Sequence, residues 1–523
     1  MEAIKNRMLN GIRFLLKPPF YFCAAILILI FLVTRLPFFV YYPVVNLGAD
    51  TPSYLRSIQQ AQSGIWPSFV IRSPGYPLFI WLVTIVSDRW LAVILVQNLL
   101  SLAASLYLVY GVYRTHAALA IPATLAMLGF LGSTQALTSD MSALSDSLYA
   151  SCLIVSFAFL LLALQKVGTV YFLLASVAMA AAIIVRPAGL YFAVIYVFVV
   201  VFMVWNHYAT SMIMRFVTPF PLILLMLCVY NYFTIHVFGL NAFGEADLAG
   251  ATISFWEPDQ SFPPMVNAAL AELPKSLEKV HFTEKDRQIM DTSWNADQLY
   301  PIFGKIYIPM IYQEGWGAGQ RLSSNTYLDN RTLIRQVAMT AIQKHPTLYV
   351  KFVWANMVYF FKMPEPFNFY DVLSRSAQQR LNQLMQPKVL YPSSVKETAT
   401  TPLPSSIQVV GNGTHARVFL SDTELKSLHL LWQSFYWHIY GRGFWVWVYF
   451  AVFAVSACML LLSRGRHLGA FILFLLASSV LGAGLVVCLV DIASQRFAYP
   501  TQFVYYLSPA LLPLLWLRDG VHS

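Results

Sequence analysis

The stretch YFCAAILILIFLVTRLPFFVYY, from Tyr21 to Tyr42, decides the class of this chain. It supplies the ~20 predominantly apolar residues that a helix needs to cross a bilayer. It is too long for the apolar region of a cleavable signal, and no small-residue cleavage site follows it, so it reads as a retained first span. The rest of the chain agrees: 58% of its 523 residues are hydrophobic and 11% are charged, outside the range of ordinary soluble domains.

Lys5, Arg7, Arg13 and Lys17 precede this span, which places the N-terminus in the cytoplasm by the positive-inside rule. Further spans read at about 90–113, 117–137, 142–165, 168–186, 188–206, 213–238, 443–463, 468–490 and 499–517. Alternating sides then gathers Arg114, His116, Lys166, His207, Arg215, Arg464, Arg466, His467 and Arg518 in the cytoplasm. The expected fold is an α-helical polytopic membrane protein with about ten transmembrane helices, 11–13 at the upper end. Both termini are cytoplasmic on this reading, and short helices lie along the outer membrane surface. A transmembrane module, 1–238, carries a first outer loop at 43–89. A large extracytoplasmic segment, 239–442, follows, and 443–523 returns to the membrane. The stretch 345–361 either crosses or lies along the interface, and Lys351 with its aromatic neighbours favours the interface. The net charge of +10 follows the cytoplasmic side, which argues against nucleic acid as a partner. All five cysteines fall in apolar stretches, so no disulfide framework or zinc pattern is on offer.

Charges that break this sidedness are the candidate site. In VNLGADTPSYLRSIQQAQSG, Val45 to Gly64, Thr51 before Pro52 reads as the cap of an amphipathic helix carrying Tyr54, Leu55, Ile58, Ala61 and Ile65 on one face. Asp50 either complements the positive end of that helix or serves as a carboxylate at the bilayer surface. Arg72, before the Pro-Gly-Tyr-Pro turn, either anchors the chain to headgroups or clamps a phosphate through its donor fork. In the second outer loop, Asp140 reads as a helix cap. Asp146 reads as a carboxylate one turn inside a span, where it needs a cavity or a partner. Arg186 in AIIVRPAGLYF and Arg496 in SQRFAYPTQF stand at the same outer level.

Taken in order, these motifs resemble the GT-C glycosyltransferases. The features are an acidic first outer loop, a short amphipathic helix, the Arg-Ser-Pro-Gly-Tyr-Pro segment, an acidic second loop, an Arg-Pro after a span and a late QRFAYP. The likeness is to the bacterial branch around protein mannosyltransferases, the aminoarabinose transferase of lipid A and rhizobial lipopolysaccharide sugar transferases. It covers roughly residues 1–240 and the last 80.

The resemblance implies transfer of a sugar from a polyprenyl-phosphate donor to an extracytoplasmic glycan, lipid or protein, in a bacterial inner membrane with the site facing outward. It makes Asp50 the base and Arg72 a phosphate ligand. Asp146 becomes a positioning carboxylate, Arg186 and Arg496 become donor-pocket residues, and Asp140 and Tyr54 become candidates for acceptor positioning. Many relatives carry paired acids in the first loop. Here Ala49 and Thr51 flank a single Asp50, so no metal or other cofactor is required as a first reading, and a divalent cation stays open. An O-antigen ligase or polymerase would place its working residues in the large segment, at Arg321, Arg331, Arg335 and His345. A transporter would show repeated halves or midplane charges, and a scaffold would leave the outward arginines without a role.

Overall fold

The computed structural model describes residues 20–41, 50–65, 67, 69, 72–87, 89–165, 168–241, 244–308, 327–361, 445–490 and 499–516. Helices account for the regular structure throughout, with no strand among the described residues. The first set runs α1 Phe20–Tyr41, α2 Thr51–Gln62, α3 Gly75–Val86, α4 Trp90–Thr115, α5 Ala120–Leu131, α6 Thr134–Asp140, α7 Ser145–Leu164, α8 Val170–Val185, α9 Phe192–Trp205, α10 Thr210–Val217 and α11 Pro219–Ile235. The segment beyond it holds α12 Gly244–Thr252, α13 Pro264–Ala271, α14 Leu273–Lys279, α15 Glu284–Thr292, α16 Ala296–Ile308, α17 Tyr327–Lys344 and α18 Pro346–Phe361. The chain ends with α19 Trp445–Leu462, α20 Leu468–Val490 and α21 Gln502–Leu511.

Five helical stretches, Trp90–Thr115, Ser145–Leu164, Pro187–Trp205, Thr210–Ile235 and Leu468–Leu489, are long and apolar enough to cross a bilayer. They mark the chain as an α-helical integral membrane protein. Shorter apolar helices stand beside them at Phe20–Leu36, Gly75–Val86, Ala117–Leu131, Val170–Val185 and Val446–Leu462.

The centre of the bundle is α7, enclosed on nearly all sides, whereas α11 leaves Leu222, Leu225, Met226 and Phe233 exposed on the bundle surface. Small residues let α4 and α7 approach closely: a Cβ on Gly111 would stand 3.3 Å from the Ala158 carbonyl oxygen.

At one end of the bundle, Asn206 donates to the Gly465 carbonyl at 2.9 Å and Tyr208 to that of Leu164 at 3.1 Å. Gly465 takes a φ of +74°, a left-handed turn that suits glycine and returns the chain into α20. The opposite end carries Asp50, Asp140, Asp146 and Arg186, and α12–α18 pack there.

The expected first outer loop is more structured than its sequence indicates. Asp50 occupies the N-cap of α2 in place of Thr51, with Pro52 one position further into the helix. The Pro-Gly-Tyr-Pro segment, expected as a turn, instead opens α3, with Pro74 as its N-cap; α3 is an apolar helix of 12 residues, about 18 Å long and too short to span by itself. Within 239–442, the described residues build a second core of their own, around Ile253, Leu270, Leu299, Phe303, Ile334 and Phe352.

The helix α18 joins the two cores: Phe352 and Ala355 sit in the second, while Phe360 and Phe361 sit in the first. Its tail lies against α20, where a Cβ on Gly484 would meet Phe360 at 3.1 Å, and Tyr349 donates to the Leu489 carbonyl at 2.7 Å.

Lys351, whose charge favours an interfacial position on the sequence, is directed into the protein. It is buried, and its ammonium donates to the carbonyl oxygens of Met290 (2.8 Å) and Asp291 (2.6 Å) in the last turn of α15. Helix C-terminal carbonyls lack partners within the helix and carry partial negative charge, so a buried cation is stabilised there. Replacing Lys351 by Met keeps the packing volume and orphans both carbonyls. A loss of about 1–3 kcal/mol in thermal or denaturant unfolding of the full-length protein is expected.

Candidate functional site

Charges inside an apolar bundle persist only when paired or hydrogen-bonded. At the end of the bundle facing the second core, among the described residues, three aspartates each meet one arginine: Asp50 with Arg72, Asp140 with Arg35, and Asp146 with Arg186. Each partner comes from a different element. Asp50 caps α2 while Arg72 precedes α3. Asp146 stands in the first turn of α7 while Arg186 ends α8. Asp140 closes α6 and Arg35 lies in α1, with a guanidinium-to-carboxylate distance of 2.8 Å.

The residues of 140–147 tie these pairs together. Thr51 donates its hydroxyl to the Ala143 carbonyl at 2.9 Å, and the Tyr54 phenol donates to the Ser145 hydroxyl at 3.1 Å. Ser147 donates to the Asp140 carboxylate from the first turn of α7. The α2 helix is thereby hung on the same turn that carries Asp140 and Asp146. Below it, the Tyr54 and Tyr76 rings meet edge to face at 4.9 Å, and the Arg72 guanidinium lies 5.9 Å from the Tyr54 ring centre. Gly75 is demanded by packing: a Cβ there would sit 2.7 Å from the Val185 nitrogen, one residue before Arg186. The Pro-Gly-Tyr-Pro segment is thus pressed against the strut that presents Arg186.

Burial sorts the pairs. Side-chain exposure is 33% for Arg72 and 12% for Asp50, against 10% and 1% for Arg186 and Asp146, and 1% and 0% for Arg35 and Asp140. Of the three pairs, Asp50–Arg72 is the one with a part-exposed member, the Arg72 guanidinium, while Asp50 is nearly as buried as Arg186. Burial pushes the Asp140 carboxyl above its ordinary range. The Arg35 guanidinium and the Ser147 hydroxyl oppose that shift without cancelling it.

Several sequence expectations change in this geometry. Asp140 is not a helix cap: it ends α6, and its carboxylate faces Arg35. Asp140 and Tyr54 are both buried, with Asp140 bonded to Arg35 and Ser147 and Tyr54 to Ser145. Arg496 lies outside the described residues. Asp50 caps the start of α2 without a side-chain hydrogen bond to the helix, its carboxylate being turned to Arg72. Arg35 escaped the sequence reading because it sits within the first apolar stretch. An arginine there, close to the end of a span, was the available signal.

In the second core, Trp256 is buried and its indole donates to Thr252 at 2.8 Å, which makes it a packing residue. Glu257 and Asp259 share the Lys344 ammonium at 3.0 and 2.6 Å. Arg331 takes both oxygens of Glu245, at 3.2 and 2.6 Å, which ties α17 to α12. Among the described residues, no three His, Cys, Asp or Glu side chains gather as a metal-ligand set.

Comparison with protein-family models, curated proteins and solved structures finds no match for this chain.

Removing one member of a buried pair leaves its partner uncompensated, whereas removing both leaves an apolar site. Asp146→Leu should therefore cost roughly 3–5 kcal/mol, and Asp146→Leu with Arg186→Leu should recover most of that loss. A double-mutant cycle by denaturant unfolding in detergent measures this, and additive losses would show that the two side chains act independently.

Proposed function

We propose that this protein is an integral-membrane glycosyltransferase. It moves a sugar from a polyprenyl-phosphate donor to an acceptor on the extracytoplasmic side of the membrane. The observation that carries this reading is the Asp50–Arg72 pair, a carboxylate beside a part-exposed guanidinium at the end of a membrane bundle. The order of motifs that resembles GT-C transferases supports it. So do the rigid supports behind the pair, because transfer chemistry needs its groups held in place.

In the proposed reaction, the acceptor hydroxyl oxygen attacks the anomeric carbon of the donor sugar. Asp50 takes the hydroxyl proton. The bond between the anomeric carbon and the phosphate oxygen breaks, and its electron pair leaves with the polyprenyl phosphate. Arg72 exchanges Asp50 for this phosphate and stabilises its charge, as a planar donor fork can. Arg186 keeps Asp146 in place at the base of the site and adds positive potential behind the phosphate. On this reading the chain has ten spans with both termini cytoplasmic, and the α12–α18 segment stands outside, where it covers the acceptor side. A bacterial inner membrane with the site facing the periplasm suits a polyprenyl donor.

The ligase reading relies on arginines of the large segment, of which Arg331 is engaged with Glu245. The transporter reading relies on central charges, and the three pairs described above gather at one end instead.

The test uses full-length protein in lipid nanodiscs with a panel of polyprenyl-phosphate sugars, following transfer or donor hydrolysis. Wild type should turn over one donor, and Asp50→Asn should lose about 10²–10⁴-fold in turnover while folding normally. Unchanged turnover in Asp50→Asn would remove Asp50 from the chemistry.

A further inference from the structure

The turn that joins α6 to α7 is held from two sides. Thr51 and Tyr54 reach it from α2, as described. From the interior it is met by buried side chains that the transfer chemistry does not use. The Gln97 amide nitrogen, on α4, lies 2.9, 3.1 and 3.0 Å from the carbonyl oxygens of Ser139, Asp140 and Ser142, so its two N–H groups are shared among three acceptors. The adjacent Asn98 donates to the Asp140 carbonyl at 2.8 Å. Both amides are fully buried. Arg35 holds the two ends of the same segment with one fork: one nitrogen donates to the Leu131 carbonyl that ends α5, and the other to the Asp140 carboxylate that ends α6.

These contacts have a local cause. The last carbonyls of a helix lie beyond the reach of its own N–H groups, and a buried carbonyl is costly unless it is met by a partner. A design seeking only stability has a cheaper answer, since buried ion pairs are commonly replaced by apolar residues at no loss. An arginine buried inside an apolar helix, donating both to the end of α5 and to the Asp140 carboxylate at the end of α6, fixes geometry that apolar packing would leave free to slide.

We infer that Arg35, Gln97 and Asn98 form a buried positioning platform, which sets the 139–147 turn and, through it, the placement of Asp146 and Asp50. Asp146 follows the turn directly in α7. Asp50 follows it through the Thr51–Ala143 and Tyr54–Ser145 hydrogen bonds. The consequence for turnover rests on the transferase reading, and the consequence for the turn does not.

Two variants of the full chain in nanodiscs test this. Arg35→Lys keeps a cation beside Asp140 and loses the fork that reaches the Leu131 carbonyl. Gln97→Leu removes the amide at similar volume, and it serves if Arg35→Lys does not fold. Amide hydrogen exchange is followed over 139–147 and 51–58, with kcat and KM for the donor measured alongside. Exchange in both segments should rise about tenfold or more, with the interior of α8 unchanged. The value of kcat should fall about 10²-fold, with KM close to wild type, as expected when a reacting group is misplaced without loss of binding. Unchanged exchange in both segments would overturn the platform, and so would faster exchange with wild-type kcat. Faster exchange in a protein that turns over no donor at all would uphold the platform and count against the transferase reading.

Discussion

The constraint on which this structure turns is that a charge in an apolar interior must be met where it stands. Asp140 and Asp146 lie six residues apart on either side of one tight turn, and both are buried. Each needs a guanidinium, and the chain supplies Arg35 from α1 and Arg186 from the end of α8. Satisfying both carboxylates fixes α1, α6, α7 and α8 relative to one another at a single end of the bundle. The amphipathic α2 then hangs on the same turn, and the Pro-Gly-Tyr-Pro segment fits against the last turn of α8 because Gly75 has no side chain. The placement of the third pair, Asp50 with a part-exposed Arg72, is the product of these fixed parts.

Much of this was legible in the residues, and the failures have physical reasons. Composition and apolar run length place helices where α1, α4, α5 and α7–α9 form, because a membrane-length run has few other structures available. Asp50, Arg72, Asp146 and Arg186 stand out as charges interrupting apolar context. Their pairing was not legible, since partners such as Arg35 and Asp140 are 105 residues apart and nothing local announces the contact. Arg35 itself was hidden by the apolar stretch that makes α1 so easy to read. The α3 helix was missed because 12 apolar residues fall short of a span. Lys351 was read from its own helix alone, whereas its position is decided by the end of α15, 60 residues away.

An acid paired with an arginine is a stable resting arrangement, and an incoming phosphate would compete for that arginine. A transferase benefits from this: the base gains its freedom when the donor phosphate takes the guanidinium, so an empty site holds no unpaired charge. The other two pairs are more deeply buried, and under the proposed chemistry they hold the Asp50–Arg72 pair in register.

The most direct test of the account is an experimental structure of the protein in lipid with a polyprenyl monophosphate bound. The phosphate should lie within hydrogen-bond reach of Arg72, with Asp50 released from the guanidinium and both buried pairs intact. A phosphate bound at the other end of the bundle, near Arg114 and Arg464, or one that leaves Arg72 on Asp50, would contradict it.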